Sequence, residues 1–212
     1  MYENEIHYCL EEEVRSTLIL CDFDGTLTNR DTLPLFLRFA GGFRFYFYLP
    51  LLVSFVILYK LKVMTAQQAK EALLSCLFKG CSEDDLNTLG ARFSHILLSN
   101  KDRYFRKKAL EYLCSERDKG SRIVIVSASP DTWITPFAKS LGIELISSRL
   151  QYHKGFFTGK FHGKNCNNQE KVARIRAEIP ELSSYFIKSF GDTEGDAAML
   201  RLAHEKYYRF FK

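Results

Sequence analysis

The sequence predicts an α/β fold, a doubly wound parallel sheet with an inserted all-helical cap, and three observations carry that prediction. Short, mostly apolar runs recur near residues 18–21, 122–126 and 185–190, as is typical of strands that are buried on both faces of a sheet. Helical patterns alternate with these runs, which indicates parallel strands joined by crossover helices. The stretch from 32 to 109 has helical patterns throughout, so it is predicted to be an insertion between two core strands.

The elements of the first half follow from local signals. Residues 1–16 are predicted to be a short lead-in, and residues 17–24 hold the first strand. Asp31 is a suitable cap for a helix with Pro34 in its first turn, and Gly41-Gly42 interrupts that helix. Further helices are predicted over three ranges that begin or end at capping or helix-breaking residues: 65–79, 82–97 and 100–116.

The alternation of strand and helix resumes at Arg122. Strands are predicted at 122–129, 143–147, 185–191 and 206–211, with helices at 131–141, 167–178 and 196–204 and a small β-excursion at 149–163. We therefore expect a Rossmann-like core formed by residues 1–31 and 110–212, and a helical cap formed by residues 32–109.

Composition restricts the class of protein. At 46% hydrophobic and 26% charged residues, the 212-residue chain is globular rather than disordered. The net charge of +5 is too small to indicate a nucleic-acid partner. None of the six cysteines has Cys-x-x-Cys spacing, and glutamates among the first twenty residues argue against an ordinary signal peptide. We expect a cytoplasmic protein with reduced thiols, and the sequence does not indicate its oligomeric state.

An apolar segment inside the predicted cap is unusual. Residues 45–59 contain no charged side chain, whereas Arg38, Arg44, Lys60 and Lys62 flank them. Fifteen residues are fewer than the ~20 that a membrane-spanning helix needs. Three alternatives therefore remain: the core of the cap, a contact with a lipid interface, and, least favoured, a true span. Residues 32–109 hold twelve Lys and Arg against five Asp and Glu, a net charge of +7.

Two carboxylates mark the end of the first predicted strand. Asp22 and Asp24 directly follow the apolar run, and Gly25 allows a sharp turn there. Ligand sites of open parallel sheets lie at the carboxyl ends of the strands. One acid capping a helix while the other is solvated is the structural alternative, but unpaired carboxylates next to a core are costly. The pair is thus a candidate catalytic site.

The segment Asp22-Phe-Asp-Gly-Thr-Leu-Thr28 resembles the first motif of the haloacid dehalogenase superfamily. Ser127, at the end of the next core strand, matches the second motif, and Ser129 is expected to cap the following helix. Lys171 matches the third motif better than Lys160 or Lys164, because Asn167-Asn-Gln-Glu170 is similar to a capping box that starts its helix. The fourth motif is similar to Gly191-Asp-Thr-Glu-Gly-Asp196.

This resemblance implies a magnesium-dependent phosphatase. Asp22 is implied as the nucleophile that forms an aspartyl-phosphate, and Asp24 as the general acid and base. Ser127 and Lys171 are implied to hold the phosphoryl oxygens. The implied Mg²⁺ ligands are the side chains of Asp22 and Asp192 and the backbone carbonyl of Asp24, while Asp196 would orient a water molecule or Lys171.

The position of the cap resembles that of phosphoserine phosphatases, in which a substrate-contacting Glu stands at the place of Asp31. The apolar Leu-Pro segment, Ser127-Ala-Ser-Pro130 and Cys166-x-x-x-Glu170-Lys-Val-Ala173 are more similar to the phosphatidylglycerophosphatase C family. A lipid-linked phosphate is the substrate that this resemblance implies, with a peripheral location at the inner face of the membrane. A soluble phosphatase for small metabolites, similar to phosphoserine phosphatase, is the first alternative, and a catalytically silent membrane-binding module is a remote one.

Overall fold

A computed structural model describes residues 16–212 of the chain, so almost all of the predicted lead-in lies outside the described residues. Its strands are β1 Thr17–Cys21, β2 Arg122–Pro130, β3 Glu144–Ser148, β4 Leu150–His153, β5 Phe156–Phe161, β6 Phe186–Gly191 and β7 Glu205–Tyr208. Its helices are α1 Thr32–Phe47, α2 Leu49–Lys60, α3 Ala66–Phe78, α4 Glu83–Ser99, α5 Lys101–Tyr104, α6 Lys107–Asp118, α7 Asp131–Leu141, α8 Gln169–Glu178 and α9 Ala197–Leu202.

Five strands form a parallel sheet in the order β3-β2-β1-β6-β7, and β4 and β5 form an antiparallel hairpin. Strand β1 is central in this order, so its residues 18–21 are fully buried, and alternate side chains join the hydrophobic clusters on the two faces of the sheet. It pairs with β2 on one side and with β6 on the other. The predicted doubly wound α/β fold is confirmed, and the carboxyl ends of β1, β2 and β6 share one edge of the sheet.

The insertion between β1 and β2 is helical, as predicted. Thr65 and Gln68 form a capping box at the start of α3, and the side chain of Asp31 accepts a hydrogen bond from the Leu33 amide at the start of α1. Phe36 of α1 stacks on Trp133 of α7 with ring centroids 4.4 Å apart. This aromatic contact joins the inserted helices to the core.

The single helix predicted for residues 100–116 is wrong, because the chain there forms α5 and α6 with extended backbone at Phe105. Phe105 pairs with Thr28, and the Arg106 amide donates a hydrogen bond to the carbonyl of Leu27. The loop after β1 thus takes up backbone groups that would otherwise continue the helix.

The apolar segment spans the end of α1 and most of α2. Gly42 breaks α1 with φ +51° and ψ −132°, a conformation that suits glycine alone. Pro50 lies in the first turn of α2, so it begins a helix rather than kinking one. Within residues 16–212 no single helix is both long and apolar enough to cross a membrane, whereas α1 and α2 together meet that test by length and composition and are bent by 112°.

Candidate active site

A cleft of about 360 Å³ lies at the carboxyl edge of the sheet. It is lined by side chains that directly follow β1 and β6, by the end of β2 and by the first turn of α8. All six residues expected from the sequence line it: Asp22, Asp24, Ser127, Lys171, Asp192 and Asp196. The parallel sheet therefore brings together residues that are up to 174 positions apart in the chain.

Lys171 joins two of the acids. Its Nζ lies 2.7 Å from Oδ1 of Asp22, 2.7 Å from Oδ1 of Asp196 and 2.7 Å from the carbonyl oxygen of Val126. Its three protons thus have three acceptors, and only 1% of the residue is exposed. The ammonium is held in one position, at the end of β1.

Burial and charge act against each other in this cluster. Burial raises the pKa of Asp22 to about 7, with Asp196 adding to the rise and Lys171 opposing it. Burial also works against the ammonium of Lys171, but the carboxylates of Asp22 and Asp196 raise its pKa overall. Lys171 is therefore charged at physiological pH, and its charge favours the ionised forms of Asp22 and Asp196.

The carboxylate of Asp24 is held by hydroxyl and amide donors, and it is not among the three acceptors of Lys171. Its Oδ1 accepts hydrogen bonds from the amide nitrogen of Thr32 at 2.7 Å and from the hydroxyl of Thr32 at 2.6 Å. Its Oδ2 accepts one from the hydroxyl of Ser129 at 2.6 Å. Trp133 Nε1 in turn donates to the Thr32 hydroxyl at 3.0 Å. The two acids of the first motif thus have different surroundings, which is the condition for different chemical roles.

Three carboxylates could hold a metal ion. Asp22, Asp192 and Asp196 each offer an oxygen, and these oxygens lie within 4.8 Å of one another. Oxygen donors are the ligands that Mg²⁺ prefers. The predicted ligands Asp22 and Asp192 belong to this group, together with Asp196, whereas the carboxylate of Asp24 does not.

Glycines allow the acids to come this close. Gly25 has φ +79°, and a Cβ atom there would lie 2.5 Å from Oδ2 of Asp192. A Cβ atom at Gly191 would lie 2.5 Å from Cβ of Asp196. Any larger residue at either position would displace a carboxylate of the cluster.

Ser127 belongs to β2, whereas Asp192 follows β6, and these two strands lie on opposite sides of β1. Its Oγ accepts a hydrogen bond from the Ser129 amide at 3.0 Å, and the side chain is buried. Among the described residues, no acceptor takes the proton of its hydroxyl. That proton is available to an oxygen of a ligand in the cleft.

Residues 19–201 match the sequence profile of the family described as haloacid dehalogenase-like hydrolase. This chain belongs to the haloacid dehalogenase-like hydrolases. It is 35% identical over 201 residues to Protein CicA of Caulobacter vibrioides, a match that covers 92% of this chain and 86% of CicA and that recurs in two strains.

Solved structures show the same fold. A protein of unknown function from Bordetella pertussis Tohama I has a TM-score of 0.73 at 19% identity, over 88% of this chain and 86% of that one. A phospho-aspartyl intermediate analogue of phosphoserine phosphatase has a TM-score of 0.64 at 19% identity, over 93% and 90%. The prediction of a haloacid dehalogenase superfamily enzyme with a phosphoserine-phosphatase type of fold is confirmed. The nearer resemblance to phosphatidylglycerophosphatase C stays a hypothesis.

Two local expectations for this haloacid dehalogenase-like hydrolase are wrong. Ser129 does not cap α7: the N-cap position is held by Pro130, and the hydroxyl of Ser129 instead donates to Asp24. The capping box expected before Lys171 is also not formed, because Asn168 adopts φ +50° and makes no capping hydrogen bond. The Asn168 amide instead donates to the carbonyl of Gly195, which joins the start of α8 to the fourth motif.

Besides Arg30, which follows the first motif, three cations that line the cleft of this hydrolase were not expected from the sequence. Lys70 reaches it from α3, Arg106 donates from Nε to the carbonyl of Gly25 at 3.1 Å, and Nζ of Lys212 lies 2.8 Å from Oδ2 of Asp192. None belongs to a motif at a strand end. Each comes from an element whose approach to the cleft is fixed by tertiary packing, so no local pattern could have found it.

Proposed function

We propose that this hydrolase cleaves phosphomonoesters through an aspartyl-phosphate on Asp22. The observation that carries the proposal is the buried bridge from Lys171 to Asp22 and Asp196, next to a second carboxylate with separate surroundings. A carboxylate oxygen of Asp22 attacks phosphorus, and the phosphorus–oxygen bond to the leaving alcohol breaks. Asp24 gives its proton to the departing oxygen.

The second half returns the site to its starting state. Asp24, now ionised, takes a proton from a water molecule that attacks the phosphorus of the aspartyl-phosphate. The bond from phosphorus to Asp22 breaks, so inorganic phosphate leaves and both acids regain their first protonation states. Thr32 and Ser129 hold Asp24 in place for both transfers. Hydrolysis needs a group that first donates and then accepts a proton, and the carboxyl group of Asp24 can do both.

The phosphoryl oxygens need positive charge and donors. Lys171 supplies an ammonium at the end of β1, and Ser127 supplies a hydroxyl proton from the end of β2. Such preorganised donors stabilise charge in the transition state without reorganisation. Asp196 contributes indirectly, because it keeps Lys171 in position.

The donor set fits Mg²⁺. Asp22 and Asp192 would hold the ion with their side chains and Asp24 with its backbone carbonyl, while Asp196 completes the acidic group. A bound Mg²⁺ would supply charge that lets a carboxylate approach a phosphate dianion. The side chain of Thr26 donates to Oδ1 of Asp192 at 3.3 Å and limits its rotation.

The finer proposal is a lipid-linked phosphate, such as phosphatidylglycerophosphate, met at a membrane surface. We define the apolar elbow as residues 43–63, which include α2 and both of its flanks. Phe43 is 83% exposed and Phe47 is 69% exposed, whereas the one buried side chain of α2 is Leu52. Side chains this exposed are not part of the core of the cap, and a lipid interface would remove them from water.

Charge at the elbow supports the same proposal. Arg38 and Arg44 precede its apolar part, and Lys60 and Lys62 follow it. Anionic leaflets attract basic residues near their surface by about 1 kcal/mol each. The substrate would then enter the cleft from the surface on which the elbow rests.

A soluble phosphomonoester is the second candidate. Asp31 lines the cleft at the place where a phosphoserine phosphatase has a substrate-contacting Glu, and solved phosphoserine phosphatases share the fold. A catalytically silent module is disfavoured, because all six expected residues line one cleft.

Phosphate release from a panel of substrates distinguishes these candidates. The panel holds phosphoserine, nucleotides, sugar phosphates and phosphatidylglycerophosphate in mixed micelles, each with and without Mg²⁺. The proposal expects Mg²⁺-dependent release, with the highest kcat/KM for the lipid. Release from phosphoserine alone would support the soluble candidate, and no release from any phosphomonoester would contradict the proposed reaction.

A further inference from the structure

Lys70 brings a charge from the inserted helices into the catalytic cleft. It lies on α3, and its Nζ donates to the carbonyl oxygen of Ala128 at 2.7 Å. Ala128 stands between Ser127, the proposed hydroxyl donor to the phosphate, and Ser129, whose hydroxyl donates to Asp24. The ammonium of Lys70 therefore lies at the end of β2, close in sequence to both Ser127 and Ser129.

The hydrogen bonds of Lys70 are incomplete. An ammonium has three protons, and the part of the chain that the structure describes gives this one a single acceptor and no ion pair. Lys171, by contrast, has three acceptors, two of which are carboxylates. Burial lowers the pKa of Lys70, although Asp24 and Asp31 oppose that effect. A bound anion would offset this desolvation and favour the charged form of Lys70.

The position of α3 is fixed by its own polar contacts with the core. Glu71 accepts hydrogen bonds from the Phe161 amide at 3.1 Å and from Nζ of Lys160 at 2.9 Å. Gln67 accepts one from the Asn165 amide at 3.1 Å. Because Gln67 and Glu71 lie on either side of Lys70 in α3, these contacts fix the position of its ammonium at the cleft.

The position of Lys70 relative to Asp24 indicates which part of the substrate the ammonium faces. Ser129, next to the acceptor of Lys70, donates to Oδ2 of Asp24, the proposed acid for the leaving alcohol. Lys70 is thus on the leaving-group side of the phosphoryl site. We infer that Lys70 binds a second anionic group, a carboxylate or a phosphodiester, on the alcohol that leaves, so the preferred substrates carry two anionic groups. This inference rests on the proposed phosphatase reaction.

Matched substrates test it. Glycerol 3-phosphate has a neutral alcohol, 3-phosphoglycerate adds a carboxylate, and glycerophosphoglycerol phosphate adds a phosphodiester. The variants are Lys70→Met, which removes the charge, Lys70→Arg, which keeps it, and Lys79→Met, a control at the far end of the same helix. KM and kcat are measured for each pair, and binding to the Asp22→Asn protein is measured by calorimetry.

We expect Lys70→Met to raise KM by about tenfold for whichever anionic substrate is preferred, and by less than about threefold for glycerol 3-phosphate, because a hydrogen bond to a charged group is lost. Lys70→Arg and Lys79→Met should retain the preference. The carboxylate and phosphodiester arms identify the group that is bound. Equal losses on all three substrates, or no loss, would overturn the inference. Calorimetric preference without turnover would instead retain the inference and overturn the proposed reaction.

Discussion

Nζ of Lys171 lies 2.7 Å from Oδ1 of Asp22, in a place that solvent barely reaches. A buried ion pair is weak evidence for stability, because removing two charges from water costs more than their attraction often returns. A pair in this position, at the end of the central strand of a hydrolase fold, is better explained by chemistry. In the proposed reaction, Lys171 holds the carboxylate of Asp22 in position and then donates to the phosphate that this carboxylate attacks.

The first prediction concerns this lysine. Lys171→Met should lower kcat by about a hundredfold or more, because one preorganised donor to the transition state typically contributes about 3 kcal/mol. Lys164→Met should have little effect, since Lys164 is exposed and lies outside the residues that line the cleft. Steady-state kinetics with circular dichroism as a folding control makes the comparison. The opposite ranking of the two variants would show that Lys171 is not the phosphate-binding lysine.

The second prediction concerns metal. Asp192→Asn should raise the Mg²⁺ concentration needed for half-maximal activity, whereas the exposed neighbour Glu194→Gln should not. EDTA should abolish activity, and added Mg²⁺ should restore it. Magnesium titrations of phosphate release check both points. Full activity in the presence of EDTA would show that the reaction does not need a bound metal ion.

Most of the side chains at the carboxyl edge of the sheet could be predicted from the sequence. Apolar runs followed by Asp22, Ser127 and Asp192 are local signals, and the edge rule for parallel sheets then brings their side chains together without further information. Lys171 needed the family motif as well, since the capping pattern before it is not formed. Its helix is positioned instead by the bond from Asn168 to Gly195.

Other features depend on tertiary packing. The carboxylate of Asp24 draws the hydroxyl of Ser129 away from a capping role, and Phe105 leaves the helix to pair with Thr28. Both changes arise from partners that are distant in sequence. Lys70 and Lys212 reach the cleft for the same reason, so propensity and periodicity could not have indicated them.

The third prediction is a pH dependence at the contact of α3 with the core. Burial alone would raise the pKa of Glu71, but its bonds to Gln67, Lys160 and the Phe161 amide lower it below the ordinary 4.5. A lowered pKa in the folded state means that the stabilisation is complete above about pH 4.5 and is lost as pH falls further. Glu71→Gln should therefore destabilise the protein by roughly 1–2 kcal/mol at pH 7 and by less in acid.

Chemical denaturation from about pH 2.5 to pH 7 measures this difference, because the loss is expected below about pH 4.5. The control is Glu111→Gln, which removes an exposed pair with Lys107 and should cost only about 0–0.5 kcal/mol at any pH. A Glu71 effect that stays constant down to the acid limit would mean that its charge does not stabilise the contact.

The fourth prediction concerns the apolar elbow. The wild-type protein should sediment at low salt with vesicles of phosphatidylcholine and phosphatidylglycerol, and a Leu51→Asp/Val53→Asp variant should not, because it places charge in the exposed apolar face. The matched control is Ile96→Asp/Phe156→Asp, which changes exposed apolar residues outside the elbow. Equal sedimentation of all three proteins, or none by the wild type, would argue against a lipid surface.

Trapping the phosphoryl group on the protein shows whether Asp22 carries it. The protein is incubated with Mg²⁺ and p-nitrophenyl phosphate, quenched in acid and digested, and its peptides are examined by mass spectrometry. We expect a phosphoryl group on Asp22 in the wild type, and neither this group nor turnover in the nearly isosteric Asp22→Asn variant. A phosphoryl group on another residue, such as Ser127, or wild-type turnover by Asp22→Asn would contradict this expectation.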